Sequence, residues 1–317
     1  MTFRRAFNDE SGQSLIYILL GLTVMIGLCA LVVDVASWYR GQRHAQIAAD
    51  AAALAGAQDL PDIAASTSTA KAYAANNVSG LNAWNPTFAS DGSWIDVRVS
   101  KPVPGIFSRI FDINSVTVHA HARAQVGPPG SMKNVAPIAV KSTVACTTAT
   151  PSCFGTTKDL SFIESNLSSS AFGLVNLSCQ GASATSCSAS GTGASDLVSW
   201  IDNGYPGYLD VNKWYAAVTG EKIGPVRDAL ERAGASGATL LIPVFDTANN
   251  AALSFHIIGW AAFVINSGGV LSWKNDTPGC RPNCKVLRGR FVQYLAQGVM
   301  SSSGSTNFGV RVVALVQ

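Results

Sequence analysis

Charge is scarce in this chain: of 317 residues only 13% are Asp, Glu, Lys or Arg, and the formal net charge is +3. No basic run or patch of the kind that tracks phosphates occurs, so nucleic acid is not an expected partner. Histidine is equally sparse, with four residues scattered at 44, 119, 121 and 256, which leaves little material for a His-based metal centre. GxSxG, HExxH and P-loop spacings are absent, and with them the common signatures of nucleophilic hydrolysis, zinc proteolysis and nucleotide binding. Glu164, Asp196, Asp202, Asp210 and Asp246 are read as solvated or capping carboxylates. The chain is therefore expected not to be an enzyme, with no catalytic residue, no cofactor and no small-molecule substrate.

What the chain has instead is one uncharged apolar run, Leu15 to Val33, close to its start. As a helix rising about 1.5 Å per residue it extends roughly 29 Å, close to the thickness of a bilayer's hydrocarbon core. A secretory signal peptide is the competing reading, but its apolar core is usually about 7–15 residues and ends at small residues suited to cleavage. Here the run ends in Asp34, which is expected to meet water, and in Trp38 and Tyr39, which suit an interface. A retained single-pass anchor is the expectation. Charge does not orient it, since Arg4 and Arg5 on one side are matched by Arg40 and Arg43 on the other.

Cysteine usage decides orientation better. Cys29 lies in the apolar run, whereas Cys146, Cys153, Cys179, Cys187, Cys280 and Cys284 all lie in loop-like stretches of the C-terminal part. Six loop cysteines suit an oxidising compartment, so the N-terminus is expected in the cytoplasm and the bulk outside it. Six allow about 15 connectivities; the short spacings make Cys146–Cys153, Cys179–Cys187 and Cys280–Cys284 the local guess. CRPNC at Cys280–Cys284 could be half of a metal site but lacks a second thiolate pair, so no metal is expected.

Past the run, residues 37–60 read as a continued helix ended near Gly56 and Pro61. Trp38, Ala45, Ala49, Ala52 and Gly56 form a narrow small-residue face that lets another helix approach closely, either within the chain or on a neighbouring subunit. A shorter helix follows at about 66–77. Trp94–Val99 and Ser115–Val126 alternate like half-buried strands, around a helical turn in PGIFSRIFDI. His119 and His121 share a strand face with Thr117, Arg123 and Gln125, read as solvated. Residues 127–131, rich in Pro and Gly, mark a boundary. Beyond it we expect a strand at 135–140, an irregular cross-linked stretch to about 193, helices at 196–203 and 225–233 (the latter closed by Gly234), and strands at 238–245, 253–265, 286–295 and 308–316. The strand at 253–265 is apolar on both faces and is expected to be central.

The segment Glu10 to Ala57 resembles the N-terminal module of TadE/TadG-like proteins of bacterial tight-adherence (Flp) pilus systems. The resemblance is carried by GQS before the run, by Asp34, Tyr39, Arg43 and Gln46, and above all by AADAAALAGA at Ala48–Ala57. The strand, FSRIF turn, strand unit ending at Val126 looks similar too, as do PIAV at Pro137–Val140, IPVFD at Ile242–Asp246 and HIIGWAAFVI at His256–Ile265. The resemblance implies a membrane-anchored, pilin-like assembly protein. Pilin-type precursors are usually cut after a Gly with Glu at the fifth mature position; counting from Gly12 that position is Tyr17, which favours a permanently anchored TadG-like component. The DxSxS mark of a metal-dependent adhesion domain is absent, at Asp159 and Asp246 as elsewhere.

The expected architecture is thus α+β: a leader at 1–14, a transmembrane helix at 15–36, a pilin-like helix and strand unit at 37–127, and a disulfide-bearing α+β domain at 128–317. Its expected partners are the membrane and other pilus-assembly or pilin-like proteins, reached through the N-terminal helix. An adhesin-like binding domain is the alternative, with Trp200, Tyr205, Tyr208, Trp214 and Tyr215 as contact residues or as core. An anchored envelope hydrolase ranks below both.

Overall fold

The computed structural model describes residues 11–163, 167–188, 192–218, 223–271, 284–301 and 306–316. The chain divides into two compact units, residues 1–125 with 315–317, and residues 126–314.

In the N-terminal unit, α1 (Ser11–Asp59) is one uninterrupted helix, and α2 (Ile63–Asn77) returns beside it. The Asp62 side chain starts α2 three residues earlier than helical spacing suggests, accepting the Ala64 and Ala65 N–H groups at 3.0 Å each. Such a cap satisfies donors that no preceding turn can reach. Ser66, Ala70 and Ala74 form the buried stripe of α2, and the Ser66 hydroxyl donates to the Gly56 carbonyl at 2.8 Å. Three strands follow: β1 (Thr87–Phe88), β2 (Trp94–Pro104) and β3 (Ser115–Gly127). β2 and β3 form an antiparallel hairpin with Trp94 opposite Gln125 and Pro104 opposite Ser115. Ile95, Val97, Val99 and Val103 are buried, and β2 packs on α1.

The C-terminal unit begins with β4 (Pro129–Met132) and β5 (Ile138–Lys141). The segment read as a Pro/Gly boundary therefore contributes a strand: β4 pairs with two later segments, which supply it with partners that composition does not reveal. The stretch expected to be irregular up to residue 193 contributes two more, β6 (Thr157–Ile163) and β7 (Phe172–Leu174). After α3 (Ala194–Asn203) come β8 (Leu209–Asp210), β9 (Lys213–Ala216) and α4 (Ile223–Ser236). The remaining strands are β10 (Thr239–Asn249), β11 (Ser254–Leu271), β12 (Cys284–Val292), β13 (Tyr294–Leu295), β14 (Gly298–Met300) and β15 (Val310–Val316). The fold class is α+β, as expected.

The main sheet runs β6-β12-β11-β10-β5-β7, with β9 also pairing β11. β11 is central, in keeping with its apolar residues on both faces. Among the described residues of this sheet, only the β10–β5 pair is parallel. α4 packs on β11 through Val226, Ala229, Leu230 and Ala233, a helical stripe at three- and four-residue steps. α4 does not stop at Gly234 but continues to Ser236. Gly234 instead serves close packing, since a Cβ there would lie 2.9 Å from the Asn266 carbonyl oxygen. The left-handed residue beyond the helix is Gly237, at φ +67°, the conformation that commonly closes helices.

Gly289 lies opposite Ile265 in the antiparallel β11–β12 pair, and a Cβ there would collide with the Val264 carbonyl oxygen and crowd the Phe263 ring. Backbone cannot swing aside as a flexible side chain can. Gly289→Ala should therefore destabilise the C-terminal unit by about 1–3 kcal/mol, read as an earlier urea midpoint, while α1 helicity is retained.

Candidate functional site on the N-terminal helix

α1 has two halves of opposite character. From Leu15 to Val33 its large side chains are exposed, and none of its most apolar window is buried within the chain. By length and composition this half can cross a membrane. From Asp34 onward the helix acquires partners, and Ala45, Ala48, Ala49, Ala52, Ala53 and Ala57 are fully buried.

Glycine sets how closely the strand approaches. A Cβ on Gly41 would collide with Val103, and one on Gly56 would lie 2.7 Å from the Ile95 Cδ1 and 3.1 Å from the Ala70 Cβ. β2 therefore runs down α1 against the helix direction, Ile95 beside Gly56 and Val103 beside Gly41. The face drawn from Ala45, Ala49, Ala52 and Gly56 is occupied by the chain itself, within the α1–α2 and α1–β2 contacts. It is also wider than that stripe, since Ala48, Ala53 and Ala57 share the burial. The run of alanines in AADAAALAGA was the visible signal for the extra width.

At the foot of β2 the chain makes a 3-10 turn, Ser108–Phe111, before β3 begins. Asp34 meets it. Although expected to face water, Asp34 is only 2% exposed. Its carboxylate accepts backbone N–H bonds from Ile106 at 2.8 Å, Phe107 at 3.1 Å and Ser108 at 2.5 Å. One carboxylate thus satisfies three consecutive donors at the start of a turn, through charge-assisted bonds that are stronger than neutral ones. Further along α1, the Arg43 guanidinium lies over the Tyr39 ring. Gln46 donates to Asp50 and to the His121 carbonyl, each at 2.8 Å. Of the residues that stand out in the sequence here, Asp34 and Gln46 tie α1 to the hairpin, while Arg43 and Tyr39 pair within the helix.

Asp96 is a second buried carboxylate, 2% exposed on the hairpin. It accepts from His121 Nε2 at 2.8 Å, Arg123 Nη2 at 2.8 Å and Arg98 Nε at 3.2 Å, and Arg123 also lies over the Trp94 ring at 4.3 Å. His119 and His121 are exposed, on the solvated face expected of them. Burial alone would raise the Asp96 pKa, but the hydrogen bonds from His121 and Arg123 and the charges of His121 and Arg98 outweigh it and hold the carboxyl below its ordinary value.

In the C-terminal unit Cys146–Cys153 and Cys179–Cys187 are disulfide-bonded, two of the three local pairings expected. Cys280 and the side chain of Cys284 lie outside the described residues. Cys29 is a free, exposed thiol on the apolar half of α1. Of the aromatic group, Tyr215 is buried and donates its hydroxyl to the Asp210 carbonyl at 2.9 Å, and burial pushes that hydroxyl's pKa up. Trp200 packs edge-on to Tyr205, and Trp214 against His256; Tyr208 is the exposed member, with the Lys133 ammonium over its ring. His256 Nδ1 and Asp246 pair at 2.8 Å. Among the described residues no group of three or more His, Cys, Asp or Glu is placed to hold a metal ion.

Residues 12–59 match the family model Tad, described as putative Flp pilus-assembly TadE/G-like. The helix α1 carries a TadE/G-like module. The match coincides with α1 almost end to end and stops at Asp59, so the further resemblances at Pro137–Val140, Ile242–Asp246 and His256–Ile265 lie beyond it. No curated protein and no solved structure matches the chain. In structural terms the Tad module is a helix with a bare apolar half and a small-residue half clothed by α2 and β2.

Two outcomes are expected for this unit. Ala49→Leu inserts a large side chain into a fully buried position and should cost about 1–3 kcal/mol, seen as earlier thermal unfolding of α2 and the hairpin by hydrogen exchange. Because the folded pKa of Asp96 is depressed, its contribution is complete above the unfolded carboxylate value of about 3.9 and is lost as pH falls from there through the folded value. The melting temperature should accordingly fall on acidification through that window, and Asp96→Asn should flatten that part of the profile.

Proposed function

We propose that the chain is a membrane-anchored, non-enzymatic component of a Tad/Flp-type pilus assembly or a related surface apparatus, of the TadG-like kind. In this reading Leu15–Val33 crosses the membrane once, residues 1–14 face the cytoplasm, and the bulk of the chain lies outside. The observation that carries it is the Tad match on a helix whose first half is bare. The apolar stretch of a soluble protein's core helix would be mostly buried, and none of the apolar window of this one is. The two disulfides of the C-terminal unit support placement in an oxidising compartment. The small-residue half of α1 is covered by its own chain, so partner proteins in the apparatus would be met through the apolar half or the outer surfaces of the two units.

The test is made in a Tad-bearing bacterium with a tagged full-length chain. It should remain with membranes after carbonate washing, since burial of the nineteen-residue uncharged run Leu15–Val33 far outweighs surface electrostatics. Capture of the tag should bring down pilus-assembly components, and replacing residues 15–33 by an unrelated apolar span should keep the anchoring but weaken that capture. Recovery of the tagged chain in the soluble fraction, or unchanged Flp filament assembly in a strain lacking it, would overturn the proposal.

A further inference from the structure

We propose that the tip of the β2–β3 hairpin, residues 105–113, is a second membrane contact, its apolar side chains seated in the interfacial layer of the leaflet from which α1 emerges. The inference rests on the anchored reading above and adds to it a lipid-binding element that is not part of the span.

Five large apolar residues crowd this tip: Ile106, Phe107, Ile110, Phe111 and Ile113. All are exposed, Ile110 by 80% and Phe111 by 79%. Soluble surfaces rarely gather so much apolar area in one contiguous patch, and such patches mark a contact with protein or membrane. The position of the patch on α1 selects the membrane. The Asp34 carboxylate holds the backbone of Ile106, Phe107 and Ser108 directly beside the last residue of the apolar run. Phe107 lines one apolar groove with Val33, Ala30 and Cys29. Ala30 lies about 6 Å before Asp34 along a helix of about 1.5 Å rise per residue, so this aromatic ring reaches back over the apolar half of α1. An element fixed at that level meets lipid as soon as α1 does.

The backbone of the tip is also suited to a poorly hydrated layer, where unmet polar groups are expensive. Ile110 N–H donates to the Phe107 carbonyl at 3.0 Å, Asp112 to Arg109 at 3.0 Å, Ile113 to Ser108 at 3.1 Å, and Gly105 to Asn114 at 3.0 Å. Asp34 takes the N–H groups of residues 106–108. The close turn leaves no room at Gly105, where a Cβ would lie 2.7 Å from the Ile113 carbonyl oxygen. Arg109 and Asp112, both exposed, set the depth: charged groups stay at the headgroup level, where Arg can meet lipid phosphate while its stem lies along apolar surface. Phe107 and Phe111 add rings to the layer in which Trp38 and Tyr39 also lie on α1.

The test uses the full chain, purified and reconstituted at high dilution into phosphatidylcholine–phosphatidylglycerol vesicles. An environment-sensitive fluorescent amino acid is placed at position 110 or 111, at Leu22 within the apolar half of α1, or at Lys71 on α2. Lys71 sits near the Gly56 end of α1, about 33 Å beyond Asp34 at about 1.5 Å per residue. Emission at 110 and 111 should be shifted to the blue relative to Lys71, and quenched more strongly by nitroxides on the upper acyl chain than by nitroxides at its end. Water-like emission at 110 and 111 with Leu22 quenched would overturn the second contact while leaving the anchor intact. Failure of Leu22 to be quenched would remove the anchor itself, and with it this inference. A blue shift at 110 that disappears as the protein is diluted in lipid would assign the patch to another copy of the chain and overturn the lipid assignment. Since Ile110 and Phe111 are so exposed, the probes should leave the fold intact, checked by an unchanged circular dichroism spectrum.

Discussion

The closeness of β2 to α1 is the constraint on which the N-terminal unit depends. Strand and helix can lie side by side only where the helix presents little side chain, and α1 does so at Gly41, through the buried alanines from Ala45 to Ala57, and at Gly56. With the strand seated there, its direction and length follow. From Ile95 beside Gly56 it descends about 3.3 Å per residue while the helix climbs about 1.5 Å per residue, so eleven residues of strand cover nearly the same height as twenty-odd of helix. The turn that ends β2 must then arrive beside Asp34. There the carboxylate takes up the three N–H groups that the turn exposes, and its charge is satisfied where apolar side chains crowd on both sides. The Tad module is thus more than an anchor: it is the template on which the hairpin is laid.

The C-terminal unit solves its packing in another way. Its core is built from large side chains, among them Trp260, Tyr215, Phe162, Phe172, Phe245, Phe255, Phe263 and Phe291, and its glycines serve to let rings and backbone pass. A Cβ at Gly259 would lie 2.6 Å from the Phe308 ring. Two short-range disulfides fasten the stretch between β5 and α3, where regular hydrogen bonding is thin and a covalent tie restricts the unfolded chain most usefully. Across β6 and β12 the exposed Arg288–Asp159 pair is bidentate, at 2.7 and 2.8 Å. The hydrogen bonds and charge of Arg288 hold the Asp159 carboxyl below its ordinary pKa, but exposed pairs of this kind add little stability and serve register better.

Much of this was legible in local pattern. The unbroken apolar run, the alternation at 94–99 and 115–126, the two-faced apolar strand around Trp260 and the short spacings Cys146–Cys153 and Cys179–Cys187 each correspond to an observed feature. β6 escaped notice although Leu160 and Phe162 alternate with polar neighbours, because the surrounding Ser and Thr resemble linker composition and its partner β12 lies more than 120 residues away. α4 ran past Gly234 because that glycine faces β11, where the lack of a side chain is a packing asset that outweighs its poor helix propensity. Asp34 looked like a residue meeting water because its three donors are supplied by a turn 72 to 74 residues further on.

The sequence by itself determined that α1 begins as a membrane-length apolar helix, continues as an alanine-rich one and belongs to a Tad module, since helix, strand and membrane compatibility are written in the spacing of neighbouring residues. Only the tertiary structure decided what covers the small-residue face, which backbone groups the Asp34 carboxylate holds, and where the apolar tip of the hairpin comes to rest. Those outcomes depend on contacts between segments far apart in the chain, and periodicity specifies that a face will be buried without specifying what will bury it.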